Sequence, residues 1–217
     1  MGEPLAALVD PLARLMVQVL KDEVRERIVT AALAVFAERG FRGATLALIG
    51  RRARVGAASV YRYYSSKSRL FAAAVPKSLV TELEALLERR VHALGAGPDA
   101  ALDDGGDAML RLWTEHRLAM VILLERAEGT PYAKFGERFV ERLVALTTRE
   151  IERGSPGAHL TPAARFVLRT IFENTRRTIA AILAAHSEPG EVREAVERFW
   201  SYQIPGLRGF ARGLAEN

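Results

Sequence analysis

Apolar residues recur along this chain at spacings of three and four, and hardly anywhere in strict alternation. Between residues 24 and 39, Val24, Ile28, Ala32, Val35 and Phe36 form one stripe down a helix, and Gly40 stands where a left-handed residue would end it. Thr45 suits the N-cap of a short second helix that turns Leu46, Ile49 and Ala53 inward, and a third short helix would carry Val60 and Tyr64 into the same small core. From Ser66 the stripe runs through Leu70, Phe71 and Ala74 to Leu79, Leu83, Leu86 and Leu87, with Pro76 expected to kink it or split it in two. Breaker clusters at residues 95–98, 103–106, 129–131, 154–157, 188–190 and 205–206 divide the remainder into segments of helical length. Two are strongly amphipathic: Pro162 to His186, with Phe166, Leu168, Ile171, Phe172, Ile179, Ile182 and Leu183, and Glu191 to Tyr202, with Val192, Val196, Phe199 and Trp200. Hairpin signals, repeats and low-complexity tracts are absent.

The pattern predicts an all-α protein in which a small N-terminal bundle is joined through one helix to a larger C-terminal one. The expected divisions are an N-terminal arm over 1–20, a head over 21–75 and a body over 76–217. In the arm, Pro4 and Pro11 bracket a weakly apolar segment that suits either a short docking helix or a frayed end.

Composition narrows the function. The chain has 217 residues, 49% hydrophobic and 26% charged, as folded proteins have. It has no cysteine, which removes disulfide scaffolds, thiolate metal sites and thiol nucleophiles, and suits a reducing compartment. Apolar runs such as Leu118 to Leu124 are far shorter than the roughly 20 residues that cross a bilayer. Glu3 and Asp10 stand where a secretory signal would carry positive charge, so a cytoplasmic location and no membrane partner are expected. The four histidines, His92, His116, His159 and His186, lack close metal-ligand spacing, and neither a Gly-x-Ser-x-Gly elbow nor a phosphate-cradling glycine loop is present. No catalytic residue, metal or cofactor is expected.

Charge is segregated. From Arg39 to Thr81 the basic residues are Arg39, Arg42, Arg51, Arg52, Arg54, Arg62, Lys67, Arg69 and Lys77, with no Asp or Glu, so this window carries +9 in a chain of net +5. A basic head on a mildly acidic body is the footprint of a binder of phosphate backbones, although a solvated charged face is the competing explanation. The two short helices flanking Arg54 fit a helix-turn-helix: a first helix to brace on the backbone, a tight turn, and a second helix able to reach base edges in the major groove. Gly50 sits where the two would approach closely. Ala57, Ala58, Ser59, Tyr61, Arg62 and Tyr63 are then the outward positions of the second helix.

The stretch RERIVTAALAVFAERGFRGATLALIGRRARVGAASVYRYYSSKSRL, from Arg25 to Leu70, resembles the DNA-binding domain of the tetracycline-repressor (TetR) family of bacterial transcriptional regulators. The likeness lies in Ala32, Phe36, Gly40 and Phe41, in Thr45, Ile49 and Val55, and in Val60-Tyr61 followed by Tyr64 and Ser66-Lys67. It implies that Thr45 and Lys67 bond phosphates from the starts of the second and fourth helices. Tyr61 then contacts the backbone, Ala57, Ala58, Ser59, Arg62 and Tyr63 face bases, and Phe36, Ile49, Val60 and Tyr64 are core. Two positions depart from the family pattern. Arg54 replaces the usual turn glycine, which costs on the order of 1 kcal/mol if the left-handed turn is kept, and offers an extra phosphate contact. Gly56 replaces the usual Ser or Thr cap, a loss of a few tenths of a kcal/mol.

The same resemblance implies a body that binds a small-molecule effector and pairs with a second copy through its last two major helices. A homodimer would present two recognition helices roughly 34 Å apart to a near-palindromic double-stranded DNA operator. Met109, Trp113, Met120, Leu124, Phe135, Phe139 and Phe172 are candidate lining residues for an apolar or aromatic effector, with His116, Asn174, Glu125 and Glu173 as polar hooks; core packing is the weightier explanation of each apolar one, and a surface position accounts equally for the polar ones. The reading is a ligand-responsive repressor, and its competitor is a helical ligand-binding or adaptor protein whose sequence-specific DNA binding has been lost.

Overall fold

A computed structural model describes residues 4–96, 104–154 and 159–215, and all of its regular structure is helical. Helix α1 (Pro4–Gly43) is followed by α2 (Leu46–Arg52), α3 (Ala57–Tyr63) and α4 (Lys67–Ala74) of the head. The body comprises α5 (Lys77–Ala96), α6 (Asp104–Glu115), α7 (Arg117–Val121), a π-helical turn (Ile122–Arg126), α8 (Phe135–Gly154), α9 (Pro162–Ala185) and α10 (Pro189–Ala215).

The residues expected as an arm are helical from Pro4 and run without a break into α1. Gly40 is the residue that breaks this helix: at φ 68°, ψ 170° it takes a conformation open to glycine and hostile to side chains with a Cβ, and α1 then closes with one last turn. Pro76 splits the fourth helix from the fifth, as its missing N–H and ring demand. The cluster at 103–106 marks the start of α6 rather than a loop, and Pro189 opens α10, a position where its absent donor is not needed. Residues 97–98, 103 and 155–157 of three expected breakers lie outside the described residues.

One expected break is absent. Helix α10 continues through Pro205 and Gly206 to Ala215. Both residues are exposed, while Leu207 and Phe210 beyond them pack against the core and hold the helix on course. Packing overrides the local breaker. The break at His116 and the π-helical turn have no counterpart in the hydrophobic pattern.

Head and body share one continuous core. Its hinge is aromatic: Phe36, Phe41 and Phe71 lie 5.4–5.7 Å apart centroid to centroid, and Phe71 meets Tyr132 of the body at 6.2 Å. Phe71→Ala should therefore cost about 3–5 kcal/mol of unfolding free energy. Urea denaturation checks this, and a loss under 1 kcal/mol would show that the hinge carries little of the stability.

Candidate nucleic-acid interface

The helix-turn-helix is assembled from capping chemistry and one close approach. Thr45 Oγ1 accepts from the Leu48 N–H at 3.2 Å and fixes the start of α2. Ile49 is fully buried, and beside it Gly50 lets α3 in: a Cβ there would stand 3.0 Å from the Val55 carbonyl oxygen and 3.1 Å from Val60 Cγ2. The turn between the helices is a Schellman motif. Val55 N–H donates to the Gly50 carbonyl at 2.8 Å and Arg54 N–H to the Arg51 carbonyl at 3.2 Å, which requires Arg54 to be left-handed. Arg54 takes φ 57° and is the single non-glycine residue with positive φ among the described residues. The turn keeps its shape and the arginine absorbs the strain, with its side chain in solvent.

Gly56 caps α3 with no side-chain hydrogen bond, at φ −69°, ψ 152°, and open space surrounds its Cα. Val60, fully buried, pins α3 to the head. Tyr64 closes its inner end; burial pushes the phenol above its ordinary range, with the charge of Arg25 drawing it partly back. Ala57, Ala58, Tyr61 and Arg62 face solvent, Tyr61 being 58% exposed. Ser59 and Tyr63, expected with them, are half-buried; Tyr63 packs against the core because it follows the buried stripe at three residues from Val60, and the Arg62 guanidinium lies 5.6 Å from its ring centre.

Lys67 differs more from expectation. Ser66 caps α4 by accepting from the Arg69 N–H at 3.1 Å, which turns Lys67 back toward the end of α1. Its ammonium donates to the Phe41 carbonyl at 2.7 Å and the Ala44 carbonyl at 2.9 Å and lies 4.4 Å from the Phe41 ring centre. Two of its three donors thus serve the protein's own backbone.

Two of the nine window cations meet carboxylates from outside the window: Arg52 lies 2.6 Å from Glu38, and Arg42 lies 2.7 Å from Glu128 of the body. Arg39, Arg51, Arg54, Arg62, Arg69 and Lys77 have no carboxylate partner among the described residues. A groove of about 330 Å³ between α1 and α2 is lined by Val35, Glu38, Arg39, Leu48, Arg51 and Arg52, continuing the cationic surface beyond α3. The spacing of Arg39, Arg51 and Arg52 alone gave no sign of it.

In the body, Met109, Trp113, Met120, Leu124, Phe135, Phe139 and Phe172 are all buried in the shared core, and Trp113 stacks on Trp200 at 6.5 Å. His116 and Asn174 are exposed. Glu125 and Glu173 converge on Arg176, which sequence reasoning passed over although the three-residue spacing from Glu173 was visible.

A cationic head whose second short helix stands out from a left-handed turn has the geometry of a helix-turn-helix. Residues 28–74 match the family model described as bacterial regulatory proteins, tetR family. No curated protein sequence matches it. Similar solved structures include a TetR-like transcriptional regulator from Rhodococcus sp. RHA1, 23% identical over 89% of this chain and 97% of that one, with a TM-score of 0.48. NalD, the secondary repressor of the MexAB-OprM multidrug efflux pump in Pseudomonas aeruginosa, is 19% identical over 83% and 95%, with a TM-score of 0.40. A tetR-family transcriptional regulator from Streptomyces coelicolor is 17% identical over 89% and 88%, with a TM-score of 0.37. Among the described residues, no helix is long and apolar enough to cross a membrane.

Two substitutions test the turn. Arg54→Gly should raise unfolding free energy by up to about 1 kcal/mol by removing left-handed strain. Gly56→Ser should raise it by a few tenths of a kcal/mol, since a hydroxyl there supplies the missing cap. Thermal melts read both, and a destabilised Arg54→Gly would mean that the arginine side chain contributes more than its backbone costs.

Proposed function

We propose that the protein is a ligand-responsive transcriptional repressor that binds a near-palindromic operator as a homodimer. The observation that carries the reading is the standing of α3: Val60 anchors it from below while Ala57, Ala58, Tyr61 and Arg62 are presented outward on a surface of cations without carboxylate partners. Tyr61 can donate to a phosphate, Arg62 can pair with guanine or phosphate, and the alanines can meet thymine methyl groups. Thr45 and Arg54 stand at the ends of α2 as backbone contacts, with Ser59 and Tyr63 at the edge of the footprint. Lys67 adds its third donor while its other two hold the joint.

Helices α9 and α10 are the proposed dimer elements. Their outer surfaces expose Phe166 and Val167 on α9 and Tyr202 on α10, the last 79% exposed, apolar area that a second copy would cover. An apolar or aromatic effector would enter among Met109, Trp113, Met120 and Phe172. Because these side chains are closed in a packed core, binding must open the body, and that coupling is the proposed route to release from DNA. The action is binding rather than catalysis, with a cytoplasmic location.

Gel shifts with DNA from upstream of the protein's own coding sequence test the reading. One site should be bound tightly, with affinity falling steeply as salt rises. Weak, sequence-blind attraction would leave the body as the functional part and sink the repressor assignment. Tyr61→Ala should weaken binding to every sequence alike, whereas Arg62→Ala should relax preference at one base pair by about 1–3 kcal/mol. An unchanged preference would make Arg62 a phosphate contact.

A further inference from the structure

The last carbonyls of a helix have no donors within it, and the run of α6 and α7 ends in the π-helical turn Ile122–Arg126. One of these carbonyls, on Leu124, accepts from Arg176 Nη1 of α9. The same nitrogen donates to Glu125 Oε1 at 2.8 Å, and Arg176 Nε and Nη2 donate to Glu173 Oε2 at 3.2 and 3.0 Å. The Arg176 side chain is only 12% exposed, while those of Glu125 and Glu173 are 35% and 32% exposed, so the bond to the Leu124 carbonyl is partly shielded and the carboxylates meet the guanidinium at the rim. Helix α8 makes room for the guanidinium at Gly136, where a Cβ would stand 3.0 Å from the Leu124 oxygen and 3.3 Å from Arg176 Nη1.

The far side of the same turn touches the head where α1 breaks. The Arg126 carbonyl oxygen lies 3.9 Å from the position a Cβ would take on Gly40, and Glu128 pairs with Arg42. We propose that Arg176 is a positioning residue that holds the head in register with the body by fixing this turn in its π form. It rests on the reading of the head as the DNA-binding element only for its consequence at the operator. A π turn accommodates one residue more than an α turn and persists where its surroundings hold it. Without the guanidinium bridging Leu124 and Glu125, the turn relaxes to α register. Residues 126–128 then rotate by about 100° and advance about 1.5 Å relative to α1.

The absence of cysteine permits a direct measurement. Exposed Ala47 on α2 and Glu152 on α8 are changed to cysteine and spin-labelled, and the labelled chain is diluted with unlabelled protein. Pulsed electron spin resonance should give one narrow distance without DNA, and Arg176→Gln should shift or broaden it by about 2 Å or more. Arg176→Lys should restore part of the narrow distribution. Arg142→Gln, which removes an ion pair to Glu88 between α5 and α8, should leave it unchanged. A cooperatively melting Arg176→Gln protein with an unchanged distance overturns the proposal. Should that variant not fold, Glu125→Ala, which removes the acceptor on the turn, must broaden the distribution in the same sense, and an unaltered one overturns the proposal equally. The distance is read without DNA, so a protein that binds no operator yet responds to Arg176→Gln refutes the function and leaves the positioning role standing.

Discussion

Backbone carbonyls stripped of their helical donors must find another donor or water, and where α1 breaks at Gly40 two of them, on Phe41 and Ala44, take theirs from Lys67. The ammonium comes from the first turn of α4, so one cation ties the ends of three helices together. It sits on the Phe41 ring, which adds a cation–π attraction in a partly desolvated place. Phe41 in turn packs edge-on against Phe71, and Phe71 against Tyr132. The angle between α1 and α2, and hence the stance of α3, depends on this joint. A charge that reads from the sequence as a ligand for phosphate is first of all a structural clamp.

The turn that follows shows which of two opposed effects wins. Left-handed backbone at Arg54 costs on the order of 1 kcal/mol. Giving it up would break two Schellman hydrogen bonds, each of about 0.5–1.5 kcal/mol net, and leave helix-end carbonyls without their partners. It would also pull Val55 away from the gap left by Gly50. The strain is smaller than what it secures, so the turn survives an unfavourable residue. Gly56 adds no strain at all; it merely omits a bond. Neither departure from the family pattern unseats α3.

Local chemistry explains what was legible in the sequence. Periodicity and caps located the head: Thr45, Gly40 and Pro76 act through neighbours within a few residues, while Val60 and Tyr64 fall on the buried stripe that helical spacing gives them. The readings that shifted concern partners far away in sequence. Lys67 reaches residues more than twenty positions earlier, Glu128 finds Arg42 across the domain boundary, and Pro205 is outvoted by the packing of Leu207 and Phe210. His116 and Asn174 looked like hooks for a ligand because nothing in a helical repeat tells an exposed polar residue from one facing a cavity. Arg176 went unnoticed because its importance lies in the Leu124 carbonyl, a backbone group that no side-chain pattern announces.

A shared core constrains how such a molecule can respond to anything bound in its body. The aromatic hinge and the π turn make head and body one packed unit, so an intruding ligand cannot be absorbed by local give alone. It must shift the balance between the packed arrangement and an opened one, and only its differential affinity for the two counts. To reverse a population from 1:99 to 99:1 takes a preference of about 10⁴, or about 5.5 kcal/mol. Burying two to three medium-sized apolar groups, at roughly 1.5–3 kcal/mol each, supplies that. A modest apolar effector is therefore energetically sufficient, provided that the opened body exposes enough new surface to receive it.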